Sequence, residues 1–311
     1  MKIVFFGSPF LALPSLKKLL ETDHSIDLII TQPDRPSGRG KKLKPCPVKK
    51  TALDLNIPYY QPLKIRKDEL ALDKIKEIEP DLNVVVAYGQ IIPSSIIYLP
   101  RYNSLNVHFS LLPKYRGASP VQKALLDGEA KTGITIFELN EKMDEGDILV
   151  QEEVNVFPDE NAADLEARLA QKGADLLIKA IAQIDKLKHR KQDHSQATYA
   201  PKIRKEDGKI DWTKNSLYIE RRVRAFTPWP SAYAFLKDIR IKIHRGRKIE
   251  KEAPPGSSAG EISGIKNEGI EVCCGEGSIY LIESLQPENR KRMDAYAFSL
   301  GAEIKPGDIF T

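Results

Sequence analysis

The first half of the chain alternates short apolar runs with helical patterns, and that alternation restricts the fold more than any other feature. The runs are Ile3 to Phe6, Ile26 to Thr31, Leu82 to Ala87, Ser104 to Phe109 and Ile134 to Leu139. Between them, Leu11 to Leu20, Asp68 to Glu79 and Pro120 to Asp127 carry apolar residues at helical spacing. Strands apolar on both faces must be covered on both faces, which parallel pairing with crossover helices achieves. The pattern predicts an α/β fold: a Rossmann-like, mainly parallel sheet domain over residues 1–189. In such sheets ligands lie beyond the carboxyl ends of the strands, so Gly7, Tyr88-Gly89 and Ser110 to Pro113 are expected to converge.

Ala163 to Ile184 reads as a long amphipathic helix that closes this domain. The polar, charged stretch Lys186 to Ser195 follows, and residues 190–206 are expected to link to a second domain over 207–311. There the period changes to two, clearest in Ile239-Arg-Ile-Lys-Ile-His-Arg245, where isoleucines face a core and bases face out. Gly260 to Ile265, Gly269 to Cys274 and Ser278 to Leu285 continue as strands separated by Gly-containing turns. A small C-terminal β-barrel, OB-like, is the expected form. A chain of 311 residues with 41% hydrophobic composition has material for both cores.

Several classes of function are disfavoured. The turn after the first strand, Gly7-Ser-Pro-Phe-Leu-Ala12, lacks the GxGxxG spacing of dinucleotide binding, and the chain contains neither a P-loop nor HExxH. The three cysteines, Cys46, Cys273 and Cys274, have no CxxC spacing, so no metal site is expected and a reducing cytoplasm fits best. Gly7, Pro9, Pro14 and Lys17 interrupt the N-terminal apolar run, so no export signal or membrane span is expected. The formal net charge of +5 is mild, but the bases cluster, which points to a polyanionic partner.

Inside the apolar run Ser104 to Phe109, Asn106 and His108 point to one face and Leu105, Val107 and Phe109 to the other. Residue types alone leave two readings open, a core histidine satisfied by backbone or a reactive centre. A histidine exchanges a proton near neutral pH, and a neighbouring amide can donate to a developing oxyanion, a combination suited to acyl transfer. An acid from Met143-Asp-Glu-Gly-Asp147 would complete the set, Asp144 or its competitor Asp147, unless that stretch is only an acidic turn. Pro113 to Gly117 reads equally well as a turn with exposed bases. Arg35 to Lys50 carries seven Lys/Arg and no acid, and its length exceeds the usual βα loop. With Lys202 to Lys205, Arg221 to Arg224 and Arg240 to Lys248 it would make a phosphate track if all share a face.

Asn106-Val-His108-Phe-Ser110-Leu-Leu-Pro113-Lys-Tyr-Arg-Gly117, followed by Met143-Asp-Glu-Gly-Asp147, resembles the core signature of 10-formyltetrahydrofolate-dependent formyltransferases. Thr31-Gln-Pro-Asp-Arg-Pro-Ser-Gly-Arg-Gly-Lys-Lys42 narrows the likeness to the methionyl-tRNA formyltransferase family, resembling its tRNA-acceptor loop. Tyr199-Ala-Pro-Lys-Ile203, Ile210-Asp-Trp212 and Arg224-Ala-Phe-Thr-Pro-Trp-Pro230 resemble that family's C-terminal RNA-contacting domain. The chain departs from the family pattern at Ser8, where Thr is usual, and at Ser231, where Gly is usual.

The resemblance implies transfer of the formyl group of 10-formyltetrahydrofolate to the α-amino group of initiator methionyl-tRNA, without a metal. It implies that Asn106, His108 and Asp144 are catalytic, and that Ser110, Leu111, Leu112 and Pro113 contact the folate. Ala87, Tyr88 and Gly89 would line the pterin pocket, and Arg39, with Lys41 and Lys42 beside it, would engage the nucleic acid. A monomer is expected. The rival readings are a formyltransferase for a small amine, a formyl-folate hydrolase, and a non-catalytic RNA-binding protein.

Overall fold

The computed structural model describes residues 1–37 and 42–311. The chain divides into two compact units. One comprises Met1–Pro120, Lys131–Asn155 and Glu166–Pro201, the other Val121–Ala130, Val156–Leu165 and Lys202–Thr311.

The chain opens with β1 (Lys2–Gly7), α1 (Leu13–Leu20), β2 (Ser25–Ile30), β3 (Arg35–Ser37), β4 (Lys42–Lys44), α2 (Pro47–Asp54), β5 (Tyr59–Tyr60) and α3 (Glu69–Ile78). It continues through β6 (Leu82–Val86), α4 (Ser94–Ile97), β7 (Ser104–His108), β8 (Arg116–Gly117), α5 (Pro120–Asp127), β9 (Lys131–Glu138), β10 (Ile148–Asn155), α6 (Ala162–Ala182) and β11 (Tyr199–Ala200). Seven strands form the main sheet in the order β10-β9-β7-β6-β1-β2-β5. Pairing is parallel from β5 through β7, and β9 runs antiparallel to both its neighbours. This is the Rossmann-like arrangement the alternation predicts. β2 leaves on one side of β1 and β6 returns on the other, so the chain reverses direction at the carboxyl ends of β1 and β6.

Alternation along the strands divides the core between two faces. Val4, Phe6, Leu28, Ile30 and Val85 pack with Ala71 and Ile75 of α3 and Ile96 and Ile97 of α4. On the other face α6 lies against the sheet at Gly173, where an added β-carbon would stand 3.1 Å from Val107 and 3.3 Å from Phe109. Glycine there permits the close approach. Gly7 serves the same end at the switch point, because a β-carbon would lie 2.7 Å from the Phe5 ring and 2.9 Å from Ala12.

The second unit contains α7 (Ser216–Ala225), β12 (Ala232–Leu236), β13 (Ile239–Glu252), β14 (Ile262–Lys266), β15 (Gly269–Cys273), β16 (Ser278–Pro287), β17 (Met293–Asp294) and α8 (Ala295–Gly301). The antiparallel sheet runs β12-β13-β16-β15-β14. The chain's last residues close it: Phe310 bridges Leu236 at one edge while Ile309 bridges Glu261 beside β14 at the other. These bridges join the two ends of the sheet through one segment, in keeping with the barrel form that the period-two pattern predicts. Ile241 and Ile243 of β13 are fully buried, whereas Ile239 is 48% exposed and lies outside the core. Ser231 takes φ of +70°, the left-handed region that favours glycine, the residue that the resemblance leads one to expect there.

Candidate active site

Asn106 stands opposite Val85 of β6 and Phe137 of β9. It therefore shares the face of Val4 and Phe6, and His108 two residues on shares it too. The carboxamide of Asn106 is partly exposed and has no hydrogen-bond partner among the described residues.

His108 is 6% exposed. Its Nε2 lies 2.9 Å from the carbonyl oxygen of Tyr115. A carbonyl only accepts, so Nε2 donates there, and Nδ1 is the nitrogen left to gain and lose a proton. Nδ1 faces the Asp144 Oδ2 at 3.7 Å, near enough to stabilise an imidazolium but beyond a direct hydrogen bond. The tautomer is thus set by Tyr115, while Asp144 supplies the field. Asp144 is itself held, with Oδ2 accepting from the Gly117 N–H at 2.7 Å and φ at +55°. Asp144, not Asp147, is the acid brought to the imidazole.

Both backbone partners of this pair lie on one short stretch, Tyr115 to Gly117, which is tied down by residues far along the chain. Tyr115 N–H donates to Thr198 Oγ1 at 2.9 Å, Arg116 N–H to the Thr198 carbonyl at 2.9 Å, and Ala118 N–H to the Ala200 carbonyl at 2.9 Å. Arg116 is not an exposed base: it is 1% exposed, and its Nη1 lies 3.3 Å from Glu145 Oε1.

The turn Ser110 to Pro113 is anchored through Thr135 of β9. Thr135 Oγ1 donates to the Ser110 carbonyl at 2.6 Å and accepts from the Leu112 N–H at 3.1 Å. Gln151 of β10 donates to that same hydroxyl at 2.9 Å and to the Leu112 carbonyl at 2.8 Å. The Leu112 side chain is buried against Phe137 and Ile148, and Ser110 is also buried, with its hydroxyl donating to the Lys114 carbonyl at 2.6 Å. Leu111 and Pro113 are the partly exposed members.

At the end of β6, Ala87 and Gly89 take φ of +48° and +80°. The Tyr88 ring turns inward, edge-on to Phe6 at 5.5 Å, and burial, followed by the charge of Asp68, raises its phenol pKa. Gln32 holds this corner: its Nε2 donates to the Tyr88 carbonyl at 3.0 Å and its N–H to the Ser8 hydroxyl at 3.0 Å. Ser8 supplies the same hydroxyl that a threonine would.

Arg39 and Lys41 lie outside the described residues, as does the side chain of Lys42, whose backbone pairs with Ser37. In the second unit, Glu283 lies 2.7 Å from Arg245 and 3.6 Å from Arg247. The buried Glu271 lies 2.5 Å from Lys251 and 3.4 Å from Lys266, and attraction to both keeps its carboxyl below the ordinary value despite burial, which acts the other way and most strongly. Arg240 instead lays its guanidinium over the Tyr233 ring, 3.7 Å from the centroid. Among the described residues no cluster of three or more His, Cys, Asp or Glu is placed to hold a metal, and no helix is long and apolar enough to cross a membrane.

Sequence reasoning missed Thr135, Gln151, Gln32 and Thr198 as supports of the site. Thr135 is a polar residue inside the apolar run Ile134 to Leu139, the same signal that exposed Asn106. Gln32, Gln151 and Thr198 carry no such signal, because their partners are remote in sequence.

Comparison with known proteins agrees with this geometry. Residues 1–181 match the formyl transferase family and residues 202–303 the formyl transferase C-terminal domain. The chain is 44% identical to methionyl-tRNA formyltransferase of Geobacter sulfurreducens over 99% of this chain and 96% of that one. It is 42% identical to methionyl-tRNA formyltransferase of a Sulfurihydrogenibium species over the full length of both. Its fold matches an N-formyltransferase from Helicobacter canadensis, solved with folinic acid and dTDP-3-aminofucose, at a TM-score of 0.67 and 19% identity over 92% of this chain and 99% of that one. With both domains matched and such identity over its whole length, the chain belongs to the methionyl-tRNA formyltransferase family.

Proposed function

We propose that this chain transfers the formyl group of 10-formyltetrahydrofolate to the α-amino group of methionine on initiator methionyl-tRNA, with Asn106, His108 and Asp144 at the transfer centre. The observation that carries the reading is the uncommitted Asn106 carboxamide, two residues from a buried imidazole whose Nδ1 faces a carboxylate 3.7 Å away. Ala87, Gly89, Leu111 and Pro113 would border the folate, with Tyr88, Ser110 and Leu112 shaping the pocket from behind. The carboxyl ends of β1 and β6 suit such a ligand by their place in the sheet, and Gly89 adds no β-carbon there.

The amine of an aminoacyl ester is less basic than a free N-terminal amine of pKa about 7.7–8.0, so a useful neutral fraction exists at pH 7 without a strong base. As the amine adds to the formyl carbon, Asn106 donates its N–H to the oxygen that becomes negative. His108 accepts or delivers the proton at Nδ1, since Nε2–H is committed to Tyr115, and the proton passes to the departing folate nitrogen directly or through water. Asp144 stabilises the transient imidazolium. Substrate recognition by Arg39, Lys41 and Lys42 and by the second unit belongs to the same proposal, as do action as a monomer and a cytoplasmic setting.

Asn106→Ala tests the reading. Losing one oxyanion donor costs about 10²- to 10³-fold in rate, so single-turnover formylation should fall by that much while the melting temperature holds. Turnover at the wild-type rate would remove Asn106 from the mechanism.

A further inference from the structure

Gln192 lies in the stretch that polarity marks as a linker, yet it is 6% exposed. Its Nε2 donates to the carbonyls of Asp144 and Gly146, each at 2.8 Å, and its Oε1 accepts from Arg116 Nε at 3.1 Å and Nη2 at 2.7 Å. The partners leave one orientation of the amide, oxygen toward the guanidinium and nitrogen toward the two carbonyls. Arg116 reaches Glu145 with its remaining arm. One side chain therefore binds the backbone on both sides of Glu145, and through Arg116 the Glu145 side chain as well.

That backbone needs holding. Asp144 occupies the left-handed region at φ +55°, a conformation disfavoured for a non-glycine residue, which persists where its surroundings fix it. Gly146 presses so closely on β9 that a β-carbon would overlap the Glu138 carbonyl. The Asp144 carboxylate stands 3.7 Å from His108 Nδ1, and the 144–146 backbone and the Gly117 N–H hold it there.

We propose that Gln192 is a positioning residue for formyl transfer, fixing the Asp144 carboxylate against the His108 imidazole through the 144–146 backbone. The inference rests on the assignment of Asp144 to the transfer centre.

Two substitutions separate position from stability. Gln192→Met deletes every one of these hydrogen bonds and leaves the buried Arg116 with Glu145 and His194 alone, so it should lower both rate and melting temperature. Gln192→Glu keeps an acceptor, now charged, for Arg116 but turns an oxygen toward the two carbonyls, so the melting temperature should fall less than for Gln192→Met while the rate, measured well below melting, still falls. It carries the test alone should Gln192→Met fail to fold. The measurement is single-turnover formylation of methionyl-tRNA at saturating 10-formyltetrahydrofolate, with folate affinity determined separately. A displacement near 1 Å costs on the order of 10²-fold, so a loss of about 10- to 100-fold with unchanged folate affinity is expected. In an Asp144→Ala background the same Gln192 substitution should add no further loss, because the group it positions is gone.

Wild-type rates for Gln192→Glu, or a loss that multiplies fully with that of Asp144→Ala, would overturn the inference. A full rate for Asp144→Ala alone would instead sink the reading of the transfer centre, and the positioning role with it. The two failures are therefore distinguishable.

Discussion

Thr135→Val removes one hydroxyl and preserves the shape of the side chain, and its cost can be worked from the hydrogen bonds around it. The Ser110 carbonyl and the Leu112 N–H each lose the partner described above, at 2.6 Å and 3.1 Å, in a region where Thr135 and Ser110 are fully buried and Leu112 is 3% exposed. The Leu112 carbonyl keeps Gln151. Two buried backbone groups left without partners cost about 1–3 kcal/mol each, hence about 2–6 kcal/mol in all. For a domain of this size about 2–4 °C accompanies each kcal/mol, so the melting temperature should fall by about 4–24 °C. Formylation measured well below melting should also fall, by up to about 10²-fold, because the freed turn borders the reacting atoms. Thr135→Ser is the control: it keeps the hydroxyl and loses one methyl, costing about 1 kcal/mol. Thermal denaturation followed by circular dichroism, with single-turnover formylation alongside, measures both effects. A Thr135→Val protein as stable and as fast as wild type would refute the argument that this hydroxyl anchors the turn.

Two further outcomes are expected. Arg39→Ala should weaken methionyl-tRNA binding and reduce the slope of log K against log salt by about one, the contribution of one phosphate contact, and an unchanged slope would make the basic loop a bystander. Burial lowers the pKa of His244 below its ordinary 6.5, with Arg292 and Lys242 pushing the same way and the Gln286 hydrogen bond opposing. Unfolding lets it bind a proton more readily, so its contribution is intact above about pH 6.5 and is lost as pH falls through the lower folded value. His244→Gln should therefore flatten the acid loss of melting temperature between pH 7 and 5, and a variant just as acid-sensitive as wild type would contradict the sign.

The sequence made the sheet legible because its strands carry their own signal. Ile3 to Phe6 is buried on both faces, and a run apolar on both sides has few alternatives to a covered parallel strand. Ala87 fell outside β6 because its φ is +48°, a turn geometry that its apolar side chain does not advertise. β13 extends to Glu252, well past Arg245. Over Gly246 to Glu252 the alternation fails, and pairing with β16 through several register shifts keeps the strand. α7 was overlooked, although Asn215 caps it, accepting from the Tyr218 N–H at 2.9 Å, and Ile219 and Val223 are buried at helical spacing.

At the site, Asn106 and His108 were visible as polar residues in an apolar strand. Asp144 could not be separated from Asp147 until the fold brought one of them to the imidazole. Arg116 looked like an exposed base because no hydropathy pattern encodes a partner such as Gln192, 76 residues away. Supports of this kind depend on tertiary contact alone, and a pattern read along the chain does not contain them.

Formyl transfer to a charged tRNA is open to one direct experiment. The protein is incubated with labelled 10-formyltetrahydrofolate and offered, in parallel, initiator methionyl-tRNA, the same tRNA uncharged, a nucleotide-sugar amine, or no acceptor. Label recovered as N-formylmethionine, only where the tRNA carries methionine, is the predicted result. Label on the sugar amine, or formate released at the same rate with no acceptor present, would contradict it.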